Sequence, residues 1–158
     1  MKKSRLLKWI IVVAVIFFTA LYLSTYWYQV ALIQGDSMLP TYHNWQFVLL
    51  DKHTEEYSYG DVVAFRCDGA KGVLIKRIAA VPGDTVQIVE GVLYRNGLPV
   101  EEDRLSGHLE FAGIAKQPIT LSAGDYFLLG DNYEVSRDSR YEEIGCIPEE
   151  DFIGKVVP

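Results

Sequence analysis

From residue 9 to about residue 28 the chain is almost unbroken in apolar side chains, with only Thr19, Ser24, Thr25 and tyrosine hydroxyls interrupting. About 20 helical residues cross a hydrocarbon core of roughly 30 Å, so this run predicts one transmembrane helix. Tyr26, Trp27 and Tyr28 at its far end have the composition of an interfacial aromatic belt. A cleaved leader would show a shorter apolar core and small residues at its end, so the run reads as a retained anchor.

Beyond it the pattern changes to short apolar runs at residues 46–51, 61–66, 73–81, 85–89, 92–95, 119–121, 126–129 and 152–157. Between them stand turn signals: Gly60-Asp61, the loop 67–72, Pro82-Gly83-Asp84, Glu90-Gly91, Asn96-Gly97, residues 122–125 and Pro148. Asn-Gly is the strongest of these as a hairpin signal. Strand-like runs at this spacing, broken by Gly, Pro and Asn, predict an all-β domain of antiparallel sheets. Residues 100–116 are polar and weakly patterned, a loop or small insertion. No helix-period segment of useful length follows the anchor. The predicted organisation is a basic N-terminus (1–8), an anchor (9–28) and one β-rich domain (29–158).

Charge sharpens this picture. The 158 residues carry a net charge of −6, but four basic residues (Lys2, Lys3, Arg5, Lys8) and no acidic one precede Trp9. That leaves 11 of the 15 basic residues for the rest of the chain, against all 21 acidic ones. So acidic a domain is a poor nucleic-acid binder. The positive-inside rule places the N-terminus in the cytoplasm and the β domain outside.

Two residues stand out as candidate chemistry. Ser37, in Gly35-Asp36-Ser37-Met38-Leu39-Pro40, lies a few residues past the anchor on a segment that Pro40 keeps out of helix. Lys76 interrupts the apolar run 73–81. An ordinary lysine near pKa 10.4 is neutral about once in a few thousand molecules at pH 7, and burial is what turns one into a base. Snorkelling is the plain alternative for such a lysine. Together the two residues suggest a Ser-Lys dyad. His43, His53 and His108 fall in polar or turn-like segments, and Leu39 breaks the G-x-S-x-G elbow that a Ser-His-Asp hydrolase would show. No histidine pair has metal-ligand spacing, and neither a metal nor a cofactor is expected. Cys67 and Cys146 are widely separated in sequence. Free thiols are the more common outcome for such a pair, although a bridge is permitted outside the cytoplasm.

The segment 35–41 resembles the serine box of the type I (leader) signal peptidases, membrane-bound Ser-Lys endopeptidases. The resemblance continues in order through Gly60-Asp61-Val62-Val63, Lys76-Arg77 with Pro82-Gly83-Asp84, and Gly130-Asp131-Asn132 with Ser136, Asp138, Ser139 and Arg140. Each box alone is weak, but four in order, behind an anchor, are specific. The resemblance implies that Ser37 is the acylating nucleophile and Lys76 its base. Ser136 would hydrogen-bond the lysine amine and aim it. Asp138 and Arg140 would pair to hold the turn beside the dyad, and Met38 would pack under the substrate-binding strand. Substrates would be preproteins lying extended against a sheet edge, with small side chains at the first and third positions before the cut. The lipid bilayer would be the other partner.

Two departures from larger family members are visible. There is one anchor, and only residues 85–123 separate the lysine box from the final box, so any second domain is a small insertion. Gly35 stands where some members carry a serine that serves the oxyanion hole, which leaves the Ser37 N–H as the sure donor. On that basis Gly35→Ser should preserve or improve activity, provided the backbone there has φ below zero. Three rivals share features with this reading. A self-cleaving repressor uses the same dyad but needs a DNA-binding domain and no anchor. A mitochondrial inner-membrane peptidase has similar size and boxes. A non-catalytic assembly paralogue would be expected to lose Ser37 or Lys76, and both are present.

Overall fold

The computed structural model describes residues 2–54, 56–100 and 109–157. Helix α1 (Lys2–Tyr26) contains a 22-residue segment, Arg5–Tyr26, long and apolar enough to cross a membrane and unburied by the rest of the protein. Its apolar residues cover the whole circumference, as a lipid-facing helix requires. The helix ends at Tyr26, and Tyr28 already opens strand β1 (Tyr28–Leu32). The aromatic triplet thus spans the joint between the helix end and the first strand.

The strands that follow are β2 (Phe47–Asp51), β3 (Val62–Phe65), β4 (Leu74–Ala80), β5 (Thr85–Val89), β6 (Val92–Arg95) and β7 (Leu98–Pro99). They continue with β8 (Ile119–Thr120), β9 (Asp125–Leu129), β10 (Ile147–Pro148) and β11 (Phe152–Val156). All pairings are antiparallel. A seven-stranded, half-barrel sheet runs in the order β1-β2-β11-β3-β4-β9-β10, and a smaller sheet in the order β7-β6-β5-β8. The two-residue turn Asn96-Gly97 joins β6 to β7, as the sequence predicts.

β1, β7 and β10 have no counterpart among the predicted runs, although the Asn96-Gly97 hairpin signal implies a returning arm where the two-residue β7 lies. β1 directly continues the apolar anchor with no turn signal between them, so its period of two is hidden in the longer run. β10 contains Pro148, which reads as a turn; it sits on the edge of the sheet, where a missing N–H costs no ladder bond. Residues 101–108, including His108, lie outside the described residues, and 113–116 form a single 3-10 turn.

Alternation along β1 and β2 sorts the residues of this end of the sheet onto two faces. Val48 and Leu50 point inward and join Ile33, Met38, Val62, Ala64 and Val156 in one core cluster. Val30, Phe47 and Leu49 point outward and are exposed, with Trp45 beside them. Strands β3 and β4 are the most buried part of the sheet, apolar on both faces except at Lys76 and Arg77. Those two charges have to be satisfied in place, and they organise the site.

Candidate active site

Lys76 lies in the middle of β4, opposite Val63 of β3, and is 3% exposed. Its Nζ is 2.7 Å from Ser37 Oγ. Ser37 reaches it from the turn 37–41, which is closed by the Tyr42 N–H donating to the Met38 carbonyl at 2.9 Å. When the amine is protonated it donates to Oγ; when neutral, its lone pair can accept the serine proton. Burial dominates the amine's environment and lowers its pKa from 10.5 to about 8. The carboxylates of Asp138 and Asp131 oppose that shift, and the Arg140 charge adds to it. A nucleophile and a base in direct hydrogen-bond contact, the base poised near neutral pH, form a unit for acyl transfer.

A cleft of about 470 Å³ leads away from the dyad. Ala31, Ile33, Met38, Leu50 and Ile75 line it with apolar surface, and Gln29 and Lys71 lie on its walls. Met38 is buried and belongs both to the lining and to the core cluster beneath it. Among the described residues β1 is an edge strand with one unpaired side, to which an extended peptide can add as a further strand.

The segment 130–140 holds the dyad from the other side. The Asn132 N–H donates to the Ser37 carbonyl at 3.0 Å, and its side-chain amide donates to the Asp36 carbonyl at 3.2 Å. Asp138 and Arg140 form a buried pair, Nε to Oδ1 at 2.8 Å and Nη2 to Oδ2 at 3.0 Å. Asp138 also accepts the Gly130 N–H, while Arg140 donates to the carbonyls of Tyr133 and Ser136. The pair is therefore a buried staple inside the loop. Gly130 has to be glycine: a Cβ there would stand 2.2 Å from Ser136 Oγ and 2.5 Å from the Ser37 carbonyl oxygen.

Ser136 departs from expectation. It is buried, but its hydroxyl makes no hydrogen bond among the described residues, and none joins it to Lys76. The amine is aimed at Ser37 instead. A buried hydroxyl without a partner is costly and calls for an explanation at a site like this one.

Arg77 and Asp131 have a role that the sequence reading left unassigned. Arg77 grips Asp131 with two bonds, Nε to Oδ1 at 2.7 Å and Nη2 to Oδ2 at 2.6 Å, and donates to the Gly60 carbonyl at 2.6 Å. Asp131 also accepts the hydroxyl of Thr41. One buried pair thus ties the lysine strand, the Gly60 turn, the serine turn and the final box together. The available signal was an arginine in an apolar strand, which cannot stay unpaired.

Gly35 has φ +90°. The condition for a tolerated serine is therefore not met, and the sequence-based expectation for Gly35→Ser is corrected. Nothing lies within 4 Å of a Cβ built there, so the obstacle is the backbone itself. Gly35→Ala and Gly35→Ser are both expected to lose activity by about tenfold, for a strain of about 1–2 kcal/mol at the serine turn. Assays of the two variants side by side check this; a fully active Gly35→Ala would show that the turn tolerates the change.

His43 and His53 are exposed and make no contact with Ser37. Cys67 and Cys146 are free thiols on a second groove of about 490 Å³. Burial pushes both thiols up from their ordinary value. No group of three or more His, Cys, Asp and Glu residues suited to a metal occurs among the described residues.

The sequence model of the family described as "Signal peptidase, peptidase S26" matches residues 6–158. The chain belongs to this family. It is a serine endopeptidase that cleaves signal peptides from preproteins. Signal peptidase I of Bacillus licheniformis is 32% identical over 149 residues, 88% of this chain and 80% of that relative. Signal peptidase IB of Staphylococcus aureus (strain Mu50 / ATCC 700699) is 31% identical over 172 residues, 98% of this chain and 88% of the relative. A crystal structure of a signal peptidase I from Enterococcus faecalis V583 superposes with a TM-score of 0.52 at 28% identity, covering 66% of this chain and 98% of that one. The apolar N-terminal helix and these relatives make the peptidase a membrane-anchored protein.

Proposed function

We propose that Ser37 and Lys76 carry the hydrolysis, with the chemistry divided between them as follows. Neutral Lys76 takes the Ser37 proton as Oγ attacks the scissile carbonyl. The tetrahedral oxyanion accepts a hydrogen bond from the Ser37 N–H, which is not otherwise engaged among the described residues. The C–N bond breaks, and Lys76 returns the proton to the departing amine of the mature protein. A water then gives its proton to Lys76 and attacks the acyl ester; the C–Oγ bond breaks, Lys76 passes that proton to Ser37 Oγ, and the signal peptide leaves as a carboxylate with the dyad restored. Ser136, with its unused hydroxyl close to Gly130, is a ready acceptor for the lysine while it is charged. The single observation that carries the assignment is the 2.7 Å approach of a buried amine to Oγ.

The substrate lies extended along the free edge of β1 with its carbonyl at the dyad. Side chains of an extended peptide alternate, so the first and third residues before the cut face the same wall. That wall is apolar, formed by Ala31, Ile33, Met38, Leu50 and Ile75, and small side chains at both positions are what we propose it takes. The basic N-terminus lies in the cytoplasm and the β domain on the outer side of the membrane. The exposed face bearing Trp45, Phe47, Leu49 and Val30 then continues from the anchor toward the lipid.

The rate should follow the neutral fraction of Lys76. With a pKa lowered to about 8, cleavage rises with pH, reaches half its limit near pH 8 and levels off above it. A rate that keeps climbing to the ordinary lysine value would place the proton on another base. The activity itself is tested by reconstituting the full chain in liposomes with preproteins and weighing the products. One new N-terminus, following a small residue, is expected. Preproteins left whole under conditions where the chain is folded would overturn the assignment.

A further inference from the structure

We propose that His53 is a positioning residue: it locks the end of the anchor helix onto the β domain, so that the cleft meets the bilayer in one orientation. This rests on reading α1 as the membrane anchor and the cleft as the substrate site. The two are nearly contiguous, since only Trp27 separates the last helical residue, Tyr26, from β1, and Gln29, Ala31 and Ile33 of that segment line the cleft. Any swing at this joint is therefore a swing of the cleft relative to the membrane.

The last carbonyls of a helix have no partner within it, and near a bilayer water is an unreliable substitute. Here the segment after β2 supplies a partner to the last helical carbonyl and another to the joint residue Trp27. The Lys52 N–H donates to the Trp27 carbonyl at 3.0 Å. His53 Nε2 lies 3.1 Å from the Tyr26 carbonyl, and because a carbonyl can only accept, that nitrogen carries the proton. The ring is stacked on Tyr26 at 5.5 Å between centroids and tilted against Trp27 at 4.6 Å. Its own backbone is set by the His53 N–H donating to Asp51 Oδ1 at 2.9 Å, and Asp51 is the register partner of Tyr28. One side chain thus bonds the helix end, packs on Tyr26 and Trp27 and stands two residues after the strand that pairs with β1.

None of these contacts reaches the dyad, and the β1–β2 ladder stands without the ring. The effect expected of His53 is consequently geometric. Five residues of β1 span roughly 16 Å, so a tilt of about 10° at the joint moves the far end of the strand by roughly 3 Å. A displacement of about 1 Å can already cost a hundredfold where a substrate is held in place. A preprotein whose apolar segment is fixed in the same bilayer would feel this; a short peptide free in water would not.

The test uses the full chain in liposomes and two substrates, a preprotein embedded in the same vesicles and a water-soluble peptide spanning its cut. His53→Ala is expected to slow the embedded preprotein about fivefold or more while leaving the peptide rate within about twofold. Gln Nε2 can occupy nearly the place of the histidine Nε2, so His53→Gln keeps the bond to Tyr26 but loses the stacking, and should recover part of the loss. Equal losses on both substrates would mean that His53 supports the fold or the chemistry, and no loss on either would mean that the joint holds without it; both results overturn the proposal. A wild-type protein that cleaves neither substrate would sink the peptidase assignment, and this proposal with it.

Discussion

Lys76→Met is expected to abolish preprotein cleavage and, at the same time, to raise the melting temperature. The loss of rate follows from the dyad: removing one member of a catalytic unit costs nearly as much as removing all of it, about a thousandfold or more. Lys76→Ala should lose as much rate, and the Ser37→Ala/Lys76→Ala double variant should be no worse than either single one. The gain in stability follows from proton linkage. The unfolded lysine holds its proton up to about pH 10.5, whereas the folded one releases it near pH 8, so between these values the unfolded chain binds more protons and stability rises with pH. Below pH 8 both states are charged and burial of the ammonium costs its full amount, on the order of 3 kcal/mol. Methionine fills the same space without that cost. Thermal unfolding in detergent at pH 7 checks the gain, and Ser37→Ala, which leaves the amine in place, should show no comparable rise. A Lys76→Met variant within tenfold of the wild-type rate would remove the lysine from the mechanism.

Breaking the Asp138–Arg140 pair is expected to have the largest effect on stability. Both partners are buried, at 0% and 1% exposure. Asp138→Ala leaves a guanidinium in the interior with the carbonyls of Phe111, Tyr133 and Ser136 and the Tyr133 ring around it, and no carboxylate bonded to it among the described residues. Removing one partner of a buried pair typically costs about 3–5 kcal/mol, because the other charge is stranded. The same change frees the Gly130 N–H and loosens the loop that holds the Ser37 carbonyl, so activity should fall with stability. The exposed Arg137–Glu143 pair in the same loop is the control, since solvent screens it and Arg137→Ala should change little. Equal melting temperatures for Asp138→Ala and Arg137→Ala would contradict the staple.

Much of the fold was legible because it follows from local pattern. Residues 85–89 and 92–95 were predicted to the residue, since each run is bounded by Gly, Pro or Asn on both sides. Where the boundary signal failed, so did the prediction, as with β1 behind the anchor and the proline-bearing β10. In the site, Ser37 and Lys76 were visible as residues out of keeping with their neighbours, but their 2.7 Å contact spans 39 positions and no local pattern encodes it. Arg77 was named only as the neighbour of Lys76 in its box, with no role of its own. Its bidentate hold on Asp131 depends on β4 and β9 pairing, which brings Arg77 opposite Leu129. Gly35 misled for a related reason: a glycine in a sequence does not state its φ, and the +90° found here reverses the expected effect of a serine. The unpartnered hydroxyl of Ser136 is likewise a fact of packing, set by how closely Gly130 allows the loop to approach.

The central claim is that the signal peptide passes through an ester on Ser37. The direct measurement is to mix the enzyme with an activated ester of a short peptide ending in alanine, quench in acid and map the adduct by mass spectrometry of a digest. The acyl group is expected on the fragment that holds Ser37, and it should be absent from Ser37→Ala. An acyl group on any other side chain, or an unmodified enzyme while the ester is consumed at the full rate, would contradict it.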